Sequence, residues 1–346
     1  MRSLFEAEIH EQPAALLRLL EQGRPGAEAI AAAVRAYAPR FVMVAARGSS
    51  DNAARYAQYL FGVRNRLAVG LAAPSLFTHY DAAPSLEGAL VLGISQSGQS
   101  PDIVEVLHRA RSQGALTVAI TNDPIAPLAE AAEHQLPLLA GKERAVAATK
   151  TYTTQLLALA MLSVAMEATP EAWDELGALP GQVSDTIELN QLLEDSAAKL
   201  AESDRMVVVG RGFNLSTAFE IALKIKETSY VMADPYSSAD FQHGPIAMLD
   251  ESLPLLVVAP GAKAVAGMSE LLGRAHRVGA PLVALTDQPD LKTVADAFLS
   301  VPPQVPEWLS PVTSVVAGQL WAHALTRVRG LDPDTPRGLA KVTLTR

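Results

Sequence analysis

The chain has 346 residues, of which 49% are hydrophobic and 19% charged, with a formal net charge of −9 and no cysteine. That length gives room for two ordinary domains, each with its own core, and the composition is that of a globular protein rather than a disordered or fibrous one. An acidic balance without a basic stripe argues against nucleic acid as a partner, and the lack of cysteine excludes disulfides, thiol nucleophiles and cysteine-ligated metals. The opening MRSLFEAEIHEQP has no basic-then-apolar signal pattern. The longest apolar stretch, LLALAMLSVAMEA (156–168), is too short and interrupted to span a bilayer and reads as a buried helix. No membrane association and a cytoplasmic location are therefore expected.

In chain order, the first informative stretch is ARGSSDN (46–52), a polar turn between an apolar run and a helical pattern. ALVLGI (89–94) is a short continuous apolar run, the pattern of a strand buried on both faces of a parallel sheet. It leads into SQSGQS (95–100) and then a helix, with Ser100 as N-cap, Pro101 at the first helical position, Asp102 in the first turn and Gly114 as the stop. Backbone N–H groups and the positive end of the helix dipole converge on such a turn, which favours an anion such as phosphate. Serine hydroxyls add donors without bulk. Ser49, Ser50, Ser95, Gln96, Ser97 and Ser100 thus form two hydroxyl-rich lips of a candidate phosphate or polyol site. MEATPEAWDELGALPGQ (166–182) reads as a polar join, followed by a connecting helix near 186–202.

The second half repeats the first. RFVMVAARGSS (40–50) matches DRMVVVGRGFN (204–214) at an offset of 164 residues. ALVLGIS (89–95) matches PLLVVAP (254–260), and RARSQGALTVAITND (109–123) matches RAHRVGAPLVALTDQ (274–288), both at 165. Two α/β domains of one design follow, each a parallel sheet with helices on both faces. Where the first copy has SQSGQSPDIVE, the second has PGAKAVAGMSE, so one anion site per chain is expected, in the first half. On the helix that carries EIALKIKE (220–227), Ala218, Ile221, Ala222 and Ile225 share one face, and Glu220, Lys224 and Glu227 share the other. By spacing alone that second face reads as solvated, with ion pairs worth only about a few tenths of a kcal/mol. His243 lies in a turn, DFQHGP, and His108 on the helix from Pro101 reads as surface or packing.

RGSS, SQSGQS, AATKTYTTQ (147–155), EIALKIKE, FQHGP (241–245), PRGLAKVT (336–343) and the opening EIHEQP (8–13) together resemble the sugar isomerase (SIS) domain family. More narrowly, they resemble the isomerase half of glucosamine-6-phosphate synthase and the SIS-type glucosamine-6-phosphate deaminases. The resemblance implies two tandem SIS domains, over residues 27–170 and 186–330, with a C-terminal tail, 331–346, over the active site. It further implies a homodimer with shared active sites and a hexose or hexosamine 6-phosphate substrate, with neither metal nor organic cofactor. The serine and glutamine loops would hold the phosphate. Glu227 would carry the proton between C1 and C2, and Lys224 would steady the developing oxyanion. His243 would open the ring from the neighbouring subunit, Lys341 would approach from the tail, and Glu143 and Val146 would contact the sugar.

Three departures qualify the resemblance. Ala148 stands where the synthase pattern has a serine, Asp240 replaces a glutamate, and the chain carries no amidotransferase half and no cysteine to supply one. PRGLAKVT resembles the deaminase ending. The expected activity is therefore conversion of glucosamine 6-phosphate to fructose 6-phosphate and ammonia. The alternatives are a fructosamine-6-phosphate deglycase, an aldose–ketose isomerase, or a non-enzymatic sugar-phosphate sensor.

Overall fold

A computed structural model of the chain describes residues 2–341; the last five residues of the expected tail lie outside it. The chain divides into two compact units. The first comprises Ala14–Glu143, Lys150–Ala178 and the tail from Ala340; the second comprises the N-terminal residues to Pro13, then Arg144–Thr149 and Leu179–Leu339. The N-terminal segment therefore belongs with the second half of the chain. The longer helices are α1 (Leu4–His10), α2 (Gln12–Tyr37), α3 (Ser49–Arg64), α4 (Pro101–Ser112), α5 (Lys150–Glu167), α6 (Pro170–Leu189), α7 (Leu215–Ser229), α8 (Ser269–Val278) and α9 (Ser310–Val328).

The sheet of the first unit contains β1 (Phe41–Ala45), β2 (Val69–Leu71), β3 (Ala89–Ser95), β4 (Leu116–Thr121) and β5 (His134–Pro137), in the order β2-β1-β3-β4-β5. Every pairing is parallel. β3 (ALVLGIS) and β4 (LTVAIT) are buried at every position, as befits largely apolar central strands covered on both faces. Gly93 lets α4 close on the sheet: a Cβ there would come within 2.6 Å of a Leu107 methyl. α5 is buried from Lys150 to Ala165, as its apolar sequence demands.

The second unit repeats the plan. β6 (Arg205–Gly210), β7 (Met232–Ser237), β8 (Leu255–Val258), β9 (Leu282–Thr286) and β10 (Ala297–Ser300) form a parallel sheet ordered β7-β6-β8-β9-β10. Strand for strand this is the order of the first sheet, so the sequence repeat is a repeat of topology. α7 buries Ala218, Ile221, Ala222 and Ile225, the apolar face read from its periodicity.

The join differs from the sequence expectation. Residues 170–189 form a continuous helix, α6, despite Pro180, and the region expected to be a connecting helix breaks after Leu189 into the short helix Glu194–Ala198. The reason is an apolar stripe: Ala172, Leu176, Leu179, Val183 and Ile187 recur at three- and four-residue spacing and are all buried. That burial outweighs the turn-like composition around Pro180.

Helices α7 and α9 meet at Gly318, where a Cβ would lie 2.3 Å from Ile221. Gly318→Val overpacks this contact and is expected to destabilise the fold by about 1–3 kcal/mol. Urea unfolding checks this, and adding Ile221→Ala in the same chain should recover part of the loss by returning volume.

Candidate functional site

In the first unit, β1 and β3 are hydrogen-bonded neighbours, with Ala45 opposite Gly93. The strand order reverses between them, which leaves a crevice outside their carboxyl ends, the usual ligand position in open α/β sheets. The two hydroxyl-rich turns open from these strands. Ser49 and Ser50 begin α3 behind Gly48, whose φ of 56° suits glycine. Ser50 is buried, and its hydroxyl accepts a hydrogen bond from Gln155 Nε2 of α5 at 2.9 Å. Ser95 closes β3, and its Oγ accepts from the Gly98 amide at 3.1 Å, while Ser97 Oγ accepts from the Gln99 amide at 3.3 Å. Gly98 has φ of 62°, and a Cβ there would sit 2.5 Å from Ala126 Cβ, so this turn requires glycine.

Gln96, Ser97 and Ser100 are half-buried. Ser100 occupies the N-cap position of α4 as expected, but its hydroxyl makes no capping bond. Asp102 instead accepts from the Ile103 amide through Oδ1 at 2.9 Å. Arg47, on the turn after β1, binds Asp102 Oδ2 through Nε and Nη2, each at 2.8 Å. This pair ties one lip to the other.

Glu143 is also in the first unit. Its side chain is buried, and it accepts from the Thr151 amide at 3.1 Å, from Thr151 Oγ1 at 2.7 Å and from Lys341 Nζ at 2.6 Å. Lys341 thus docks on a residue of the expected sugar site. Next to it, Lys150 is buried and donates to the Lys142 carbonyl at 2.7 Å.

The second unit holds the other group of expected residues. On α7, Lys224 Nζ stands 2.5 Å from Glu227 Oε2 and 3.3 Å from Glu220 Oε1. Glu220 and Lys224 are fully buried and Glu227 is 22% exposed, so this face of the helix is not the solvated one that spacing alone suggested. Burial would lower the Lys224 pKa, but the two carboxylates outweigh it and hold the ammonium above its ordinary range. His243 is exposed at the end of the short helix Ser238–Gln242, whose start Ser237 Oγ caps by accepting from the Asp240 amide at 3.0 Å. Val146, half-buried, lies on the Arg144–Thr149 segment, which Glu8 of α1 holds by accepting from the amides of Arg144 at 2.6 Å and Ala145 at 3.1 Å.

The structure therefore groups the Ser49–Ser50 and Ser95–Ser100 lips, pairs Glu143 with Lys341, and pairs Lys224 with Glu227. Reading the sequence named Asp102 only as a helix-start residue and gave Arg47, Gln155 and Glu8 no role. A signal existed for two of them: Gln155 is an amide within a buried apolar helix, and Arg47 is the one cation in either lip. Among the described residues, no group of three or more His, Asp or Glu side chains could hold a metal ion, and no helix is long and apolar enough to cross a membrane.

The SIS domain family matches this chain twice, at residues 37–165 and 199–326, and the chain belongs to that family. A glutamine–fructose-6-phosphate aminotransferase (isomerizing) from Thermococcus kodakarensis is 33% identical over 346 residues, covering 96% of this chain and 56% of the relative. The chain thus spans about half the length of the curated relatives it matches. Among solved structures, a protein from Silicibacter pomeroyi described as a phosphosugar isomerase aligns with a TM-score of 0.87 at 33% identity, covering 96% of this chain and 100% of that one. The C-terminal domain of glucosamine-fructose-6-phosphate aminotransferase from Francisella tularensis aligns with a TM-score of 0.87 at 25% identity, over 97% of this chain and 98% of that one.

The buried Lys224 generates a test of the α7 cluster. Lys224→Met leaves the Glu220 carboxylate buried without its counter-charge, which is expected to cost about 3–5 kcal/mol at neutral pH. The deficit should narrow as pH falls and the carboxylate takes up a proton. In the wild type the ammonium is held above its ordinary value, so its contribution is complete at neutral pH and declines only above about pH 10. Thermal unfolding of both proteins across pH 4.5–10.5 reads both trends.

Proposed function

We propose that this chain is a sugar-phosphate isomerase and, more narrowly, a hexosamine-6-phosphate isomerase/deaminase that converts glucosamine 6-phosphate and water to fructose 6-phosphate and ammonia. The observation that carries this reading is the α7 cluster. One carboxylate, Glu227, keeps 22% of its side chain exposed, and it is paired with an ammonium that a second, fully buried carboxylate neutralises. Such a base is held in one place and can be reached by a substrate.

The phosphate is held by the two lips, with Ser49, Ser50, Ser95, Gln96, Ser97 and Ser100 donating to its oxygens. His243 moves a proton between the anomeric hydroxyl and the ring oxygen, which suits an imidazole near neutral pH. Glu227 then takes the C2 proton of the open chain, leaving an enediol-type (enaminol) intermediate, and returns it to C1. Lys224 steadies the negative charge on oxygen as it develops. The C2 iminium that results adds water and expels ammonia, giving the ketose. Glu143, Val146 and Lys341 contact the sugar. The likeness to aminotransferase isomerase halves supports the aldose–ketose step. The reading further includes a homodimer in which His243 serves the neighbouring subunit's site.

Incubation of the pure protein with glucosamine 6-phosphate should release ammonia and fructose 6-phosphate in equal amounts. Interconversion of glucose and fructose 6-phosphates without ammonia release would instead favour the plain isomerase. Glu227→Gln keeps the shape but removes the proton acceptor, so turnover should fall by about 10²–10⁴-fold with little change in substrate affinity. Exchange of the C2 hydrogen with deuterated water, followed by NMR, should stop as well. Near-normal exchange in this variant would reduce Glu227 to a structural partner of Lys224. Mixed dimers of His243→Ala and Glu227→Gln chains should regain part of the activity, and a demonstrably mixed dimer without any would exclude shared sites.

A further inference from the structure

We propose that Arg47, fixed by Asp102, is the cationic clamp of the phosphate lips and makes the site selective for a phosphorylated sugar. This rests on the sugar-phosphate reading above and adds to it a residue outside the hydroxyl and amide set. Arg47 is the one cation in the 46–52 and 95–102 segments, whose other charges are Asp51 and Asp102. Asp51 is paired with Arg55, one helical turn on, at 3.0 Å. Hydroxyls and a helix N-terminus supply partial charges only. A phosphate dianion bound by them alone would lack a full counter-charge in the crevice.

The geometry places the guanidinium where that counter-charge is needed. Asp102 is 1% exposed and sits in the first turn of α4, immediately after the Ser95–Ser100 lip, while the Arg47 side chain remains 51% exposed. Nε and Nη2 share a single carboxylate oxygen, Oδ2. The remaining guanidinium N–H groups are available, and a planar fork matches phosphate oxygens. Asp102 therefore works as a positioning residue that holds the arginine to one orientation. The serines are poised in the same sense: Ser95 and Ser97 each accept from a backbone amide, which leaves the hydroxyl proton free to donate to an anion.

The internal repeat provides a comparison within the chain. Arg211 stands at the position of Arg47 and Gly267 at that of Asp102. Arg211 still reaches across, but it meets the Gly267 carbonyl, at 3.3 Å. The second copy has lost the serines and the acid together. The Arg–Asp pair is thus present in the copy that has the hydroxyl lips, and the acid is absent from the copy that lacks them.

Calorimetric titration with glucosamine 6-phosphate, at several salt concentrations, tests this on the wild type, Arg47→Ala, Arg47→Lys and Asp102→Asn. Loss of a charged phosphate contact predicts affinity weaker by about 10- to 100-fold in Arg47→Ala. The fall in affinity with salt should be shallower than in the wild type, because one charge contact is missing. Lysine should recover part of the affinity, since it restores the charge but not the fork, and Asp102→Asn should lose an intermediate amount. Inorganic phosphate should follow the same ranking. If Arg47→Ala binds the sugar phosphate as the wild type does, with the same salt dependence, the pair only ties two loops together and the proposal is overturned. If the wild type itself binds neither glucosamine 6-phosphate nor fructose 6-phosphate, the sugar-phosphate reading fails and takes this one with it.

Discussion

Each sheet reverses its strand order once, between β1 and β3 in the first unit and between β6 and β8 in the second, and the position of the candidate site follows from that reversal. Central parallel strands covered on both faces are largely apolar, so they leave little room for polar chemistry before their carboxyl ends. Polar side chains are displaced to the turns at the carboxyl edge. At the reversal point two such turns lie side by side without a crossover helix above them. The first unit fills this place with Arg47, five serines, Gln96 and the amino end of α4; the second fills its own with Arg211, Gly212 and the Pro260–Gly261 turn. Identical topology is thus furnished differently: one copy carries the hydroxyl-rich turns and the Arg47–Asp102 pair, and the other the ionisable cluster on α7.

That cluster is expensive to build. Burying an ammonium costs several kcal/mol, and the attraction of its partners offsets this only when the geometry is close. Here the cost is met by two carboxylates in unequal surroundings. Glu220 is fully buried and acts as the fixed counter-ion, whereas Glu227 keeps 22% of its side chain open. Replacing the whole cluster, both carboxylates included, by apolar side chains would serve packing as well, so stability alone gives little reason to keep these charges there. The two glutamates are thus unequal: one is enclosed with the ammonium, and the other keeps part of its side chain at the surface.

Elsewhere in each unit the polar turns are held by backbone rather than by bulk. Ser95, Ser97, Asp102, Glu143 and Glu8 all accept from backbone amides within loops or at helix starts. Gln155 fixes Ser50 from a buried helix. Short polar side chains satisfy these loop amides without adding bulk, and the Arg47 side chain stays half exposed.

The sequence by itself determined the parts that depend on periodicity and on local chemistry. The apolar runs at 89–94 and 254–258 specify buried parallel strands, the repeat at 164–165 residues specifies two sheets of one design, and the SQSGQS turn specifies an anion-favouring helix start. Tertiary structure decided what local pattern leaves open. Spacing could not say whether Glu220 and Lys224 face water, because a charged helical face looks the same whether it is solvated or paired; only packing of the surrounding chain buries it. The apolar stripe of α6 likewise outweighed Pro180 through burial, which composition does not reveal. Arg47 and Asp102 lie 55 positions apart, and Glu143 and Lys341 lie 198 apart. No local rule pairs them, since such contacts exist only once the strands have taken their order.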